Sequence, residues 1–121
     1  MSTRANITID QGSTFSLVLD LGYDTTTIVD LEGWHGRGKI RKSYGSSVGE
    51  DFRVEILDIV SGEIQIELSS VQTASLKPGR YVYDVEIFSD GSPPVVHRLI
   101  EGIAEVSASV TQANPTGEGI G

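Results

Sequence analysis

The chain has 121 residues, enough for one domain with a real core and too few for a second. It holds 17 acids against 9 bases, a net charge of −8, which disfavours nucleic-acid and anionic-membrane partners. It has no cysteine, so disulfides and thiolate metal sites are excluded, and folding in a reducing cytoplasm is the mild expectation.

Met1 to Asn6 leads straight into an alternating pattern and does not read as a signal peptide. No apolar run approaches the roughly 20 residues a membrane helix needs. Residues 5–10 alternate, with Ile7 and Ile9 inward, and 11–13 form a turn. From Thr14 to Leu21, Phe15, Leu17, Leu19 and Leu21 share one face, as in a half-buried strand. A loop over 22–27 and a short apolar patch over 28–31 follow. Residues 34–44 read as a strand with Trp34, Ile40 and Tyr44 in one parity. Gly36 and Gly38 share that parity, which signals a bulge or a close backbone approach. After a polar loop over 45–50, residues 51–60 and 63–68 form a hairpin about Ser61 and Gly62. Residues 70–75 make one short helical turn.

Pro78 and Gly79 then turn the chain into a strand where Tyr81, Tyr83, Val85 and Ile87 recur every second residue. A turn feeding a tyrosine-led strand is a common corner between the sheets of immunoglobulin-like sandwiches. Both tyrosines are expected in the core with their hydroxyls at a polar rim. Residues 89–94 form a hairpin turn. The apolar parity of 95–110 changes near Gly102, so a bulge there is expected to let one strand serve both sheets. The fold class is therefore all-β: an immunoglobulin-like antiparallel β-sandwich of about seven to nine strands. Residues 1–111 make a single β-sandwich domain, and 112–121 a flexible glycine-rich tail.

Chemistry-bearing patterns are scarce. His35 and His97 have no nearby His or Cys to complete a zinc site. No Gly-x-Ser-x-Gly elbow is present, and a Ser–His–Asp triad assembled on paper carries no weight. Residues 33–38 are glycine-rich but lack the Gly-Lys-Ser/Thr ending and the helix of a phosphate loop. Asp20, Asp24, Asp30, Asp58 and Asp90 lack calcium-loop spacing. The expectation is a protein that is not an enzyme and that has no metal and no cofactor.

Charge placement says more. Arg37, Lys39 and Arg41 project from one face of a strand as a basic row. They form either a docking strip for an acidic neighbour or, as the favoured alternative, cross-strand pairs with Asp51, Glu55, Glu63 or Glu67. A turn centred near Gly91 sets Asp84 opposite Arg98, an expected cross-strand ion pair, and Val85 opposite His97. Trp34 reads as a core anchor. In an alternative reading, Trp34 and Tyr44 are stacking surfaces of a carbohydrate- or receptor-binding module, tested by a glycan array and Trp34→Ala.

The blocks Ile7–Leu17, Lys39–Tyr44, Gly62–Leu68, Gln72–Leu76, Gly79–Asp84, His97–Gly102 and Val110–Thr111 follow in an order that resembles small structural proteins of tailed bacteriophages. Such sequences occur in myoviruses of aquatic bacteria and, more distantly, in N-terminal domains of baseplate proteins of phages infecting Gram-positive hosts. The resemblance spans about residues 6–111. It implies an immunoglobulin-like virion protein, made in the host cytoplasm and carried in the particle. Its partners would be other virion proteins and copies of itself, at the head, neck, tail or baseplate. The family has no catalytic motif to carry over.

Overall fold

The computed structural model describes residues 3–20, 32–58 and 62–109. The loop expected over 22–27, the apolar patch over 28–31, the tail over 112–121, and Asp24 and Asp30 lie outside the described residues.

The protein is all-β. Among the described residues, eight strands and one short helix follow in the order β1 (Thr3–Arg4), β2 (Ile7–Asp10), β3 (Phe15–Asp20), β4 (Trp34–Arg41), β5 (Gly49–Asp58), β6 (Glu63–Leu68), α1 (Ser70–Ser75), β7 (Gly79–Ser89) and β8 (Val96–Ser107). They form a curled sheet in the order β1-β8-β7-β4-β5-β6-β3, with β2 also on β8. Both N-terminal strands run parallel to β8. Every other pairing is antiparallel.

The curl is made by β5. Its first four residues pair with β4, up to Gly38 opposite Phe52. From Arg53 onward it pairs instead with β6. This corrects the expectation that the last strand serves both sheets through a bulge at Gly102. That register shift lies elsewhere, where Val85 pairs Ile100 but Glu86 pairs Arg98, leaving Leu99 as the extra residue. Gly102 has another reason to be glycine. A side chain there would collide with the Ala5 carbonyl. Where β1 passes into β2, the Ala5 N–H donates to Glu101 O at 2.9 Å and the Ala5 carbonyl accepts from Tyr83 Oη at 2.7 Å.

Alternation drives this arrangement. Ile64, Ile66 and Leu68 on β6 and Tyr81, Tyr83, Val85 and Ile87 on β7 are buried, while their intervening neighbours are not. The inward faces on either side of β5 share one core, in which Phe15 and Leu17 pack against a cluster holding Phe52, Tyr83 and Val106. Phe52 sits at the join, its ring 6.3 Å from Phe15 and 6.1 Å edge-on from Tyr83. Gly38 makes room for it, and Gly36 makes room for Val54. The β4–β7 register is unbroken, so neither is a bulge. A side chain at Gly36 would run into Val54, and one at Gly38 would crowd the Phe52 ring.

The corner between β6 and β7 is closed by α1. Ser69 caps it, accepting from the Gln72 N–H, while the Gln72 side chain accepts from the Ser69 N–H. Thr73 is fully buried; its hydroxyl donates to Ser13 O at 2.8 Å and accepts from the Gly12 N–H at 3.0 Å. The corner thus clamps the first turn, where Gly12 has the positive φ of 84° that favours glycine.

Candidate functional site

The residues with chemistry gather on the outer face of β8-β7-β4-β5. Alternation puts them there: as Tyr81, Tyr83, Val85 and Ile87 turn inward, Val82, Asp84 and Glu86 must turn outward. On β4 the same rule turns Arg37, Lys39 and Arg41 outward, the first two exposed and Arg41 half-buried. The register sets Arg37 beside Glu86, Lys39 beside Asp84 and Arg41 beside Val82. A basic row therefore lies alongside an acidic one, over a shallow groove of about 610 Å³.

Arg37 Nε lies 2.7 Å from Glu86 Oε1, and its guanidinium sits 4.6 Å over the Phe88 ring. Lys39 Nζ lies 3.1 Å from Asp51 Oδ1. Arg41 forms no ion pair among the described residues. Cross-strand pairing thus takes two of the three bases, though with partly different acids from those the sequence suggested. Glu55 and Glu67 each lie 3.9 Å from Arg53, and Glu63 pairs in register with Asp20 and Asp58. The reason is topological: after Phe52, β5 leaves β4 and carries these acids away.

Asp84 and Arg98 are not opposite one another. Asp84 faces Glu101, Arg98 faces Glu86, Val85 faces Ile100 and His97 faces Ile87. The expected pairing summed residue numbers about Gly91. The loop is in fact centred one residue later, and the extra residue at Leu99 shifts the register again. Arg98 still reaches back diagonally, with Nε 3.6 Å from Asp84 Oδ2 and Nη1 3.3 Å from Glu101 Oε1. Burial raises the Asp84 carboxyl above its ordinary pKa; Arg98 pulls it down, Glu86 and Glu101 push it up, and Arg41 lowers it slightly.

Trp34 and Tyr44 do not form one platform. Trp34 opens β4, half-buried and stacked on His97 with ring centres 5.6 Å apart. Tyr44 lies beyond the other end of β4, outside the strand, with 73% of its surface exposed at the groove. At about 3.3 Å per residue, β4 alone separates the two by roughly 23 Å. His35 sits at the surface with Nε2 2.8 Å from Asp90 Oδ1. Among the described residues, no three His, Cys, Asp or Glu side chains gather as a metal site.

Of the acids on this face, the sequence reading used Asp51 and Asp84 as single pairing partners and missed Glu86, Glu101 and the row as a whole, although its signal was present. Asp84 and Glu86 occupy the counter-phase of the tyrosine strand, which predicts an acidic row as surely as the in-phase residues predict the core.

No protein-family model and no curated protein matches the chain. Among solved structures it is similar to an internalin-like protein of Listeria monocytogenes, at 17% identity and a TM-score of 0.47, covering 88% of this chain and 28% of that one. It is also similar to a nucleoside hydrolase-related protein of Saccharophagus degradans associated with carbohydrate metabolism, at 17% identity and a TM-score of 0.36, covering 84% of this chain and 22% of that one. The chain thus spans under a third of either protein, and likenesses this distant carry no functional argument.

Proposed function

We propose that this chain is a non-enzymatic structural subunit of a tailed-phage particle, an immunoglobulin-like domain that works through contacts with neighbouring virion proteins. The observation that carries the proposal is where the resembling blocks fall. Ile7–Leu17 spans β2, its turn and the start of β3; Lys39–Tyr44 ends β4; Gly62–Leu68 is the hairpin turn and β6; Gln72–Leu76 closes α1; Gly79–Asp84 opens β7; and His97–Gly102 lies within β8. The series touches six of the eight described strands and the helix, and leaves β1 and β5 without a block. The immunoglobulin-like part is supported by Tyr81, whose hydroxyl donates to Lys77 O at 2.8 Å, four residues upstream at the start of β7. A tyrosine bonded back to the chain at that corner is a hallmark of such sandwiches. The outer face offers charged groups held by their neighbours, a surface suited to docking.

The test is twofold. The gene should lie among capsid or tail genes, and mass spectrometry of the purified particles should find the chain in fixed ratio to the major structural proteins. A metabolic operon as its setting, or particles without the chain, would overturn the proposal. A carbohydrate-binding function would now rest on Tyr44 without Trp34, and a glycan array in which binding is lost on Tyr44→Ala would favour it.

A further inference from the structure

The net charge of −8 raises the question of how copies of this chain could meet. The outer face answers it. Four bases around the groove (Arg37, Lys39, Arg41 and Arg98) equal four acids (Asp51, Asp84, Glu86 and Glu101), and Arg80 faces Glu105 farther along the same face, so the chain's whole formal excess of −8 lies elsewhere. An approach by this face brings together two surfaces without net charge, whereas the rest of the molecule is repelled by its copy.

The rows are also self-complementary. We propose that a second copy of this chain docks on the outer face, the two related by a twofold axis that runs along the strands midway between β4 and β7. Such a rotation exchanges the basic row of one copy with the acidic row of the other and keeps the level along the strands. Because Arg37 is level with Glu86 and Lys39 with Asp84, these two bases of one copy then lie over acids of the other, while Arg41 comes over Val82, one step along the strand from the Asp84 level. A twofold axis across the strands would instead set β4 over β4 and base over base. The side chains have capacity left for this second contact. Arg37 bonds Glu86 through Nε alone, so its Nη hydrogens are available to another acceptor. Arg41 has no ion pair among the described residues. The rotation has one unfavourable meeting, since Glu101 comes over Asp51, which share a level across β8-β7-β4-β5.

This inference deepens the assembly function proposed above and rests on it for the class of partner. Sedimentation of the full chain at about 0.02 M and 0.5 M salt tests it, since the contact is electrostatic and screening shortens from roughly 20 Å to 4 Å between them. Dimer at low salt and monomer at high salt is expected. Arg37→Glu with Lys39→Glu should give a monomer at low salt, as should Asp84→Lys with Glu86→Lys, and an equimolar mixture of the two should regain the dimer. Asp51→Asn should tighten the dimer severalfold, although it removes a bond within the monomer. Wild type that stays monomeric at low salt, or double variants that dimerise as wild type does, would overturn the proposal; if a double variant fails to fold by circular dichroism, the salt series and Asp51→Asn decide. A monomer that is nevertheless found in particles would refute this interface and leave the virion function standing. A salt-sensitive dimer absent from particles would do the reverse.

Discussion

Asp84 shows how one residue can be pulled two ways. Arg98 and Arg41 favour its charged form, while burial, Glu86 and Glu101 oppose it, and burial is the largest influence. The folded protein therefore holds this proton more tightly than the unfolded chain. A carboxyl raised in this way contributes stability that is present below its ordinary pKa of 3.8 and is lost as pH rises through the raised value. Asp84→Asn, which keeps the shape but cannot ionise, is expected to melt a few degrees above wild type at neutral pH. The gap should close as pH falls toward 3.8. Melting curves of both proteins across that range check this. A variant less stable at neutral pH would mean that Arg98 outweighs burial. The Asp84–Arg98 contact, half-exposed at 3.6 Å, is a weak pair by its geometry as well.

Among the elements, the first strands are the most dependent on one position. β1 and β2 reach β8 only because the chain between them lies against Gly102, where Ala5 also receives the Tyr83 hydroxyl and Asn6 Oδ1 accepts from the Ile103 N–H at 3.1 Å. Gly102→Ala forces the Ala5 carbonyl away. Overpacking of this kind costs about 1–3 kcal/mol, and the loss should appear in urea unfolding. Hydrogen exchange should show it first at the Ala5 amide. Unchanged protection there would show that the N-terminal strands are held some other way. At this scale the sequence was informative wherever contacts are local. The alternation that marks β6 and β7, and the helical spacing that marks α1, act within a few residues, and so the patterns survive in the linear chain. The bulge at Leu99 does not, because it is a property of the β7–β8 pairing and of the loop that sets its register.

For the whole molecule, the bend in β5 decides most. It folds β6 and β3 over the rest and lets one residue, Phe52, touch both sides. Phe52→Ala is expected to destabilise by about 3–5 kcal/mol, the usual cost of emptying a buried aromatic site. Near- and far-ultraviolet circular dichroism should lose signal together on heating, since the main cluster around Phe52 and the smaller one of Ile64 and Ile87 are joined through Val54. Separate transitions would mean that the two sides of β5 are held independently.

By itself, the sequence determined that the chain is built of strands, which residues of β2, β3, β5, β6 and β7 face inward, and that Arg37, Lys39 and Arg41 form a row. All of these follow from a period of two, a property each strand carries alone. Only the tertiary structure decided which strand crosses between the two sides and which acids stand beside those bases. Those outcomes depend on which strands become neighbours and in what register, and pairings between distant segments leave no periodic trace in either partner.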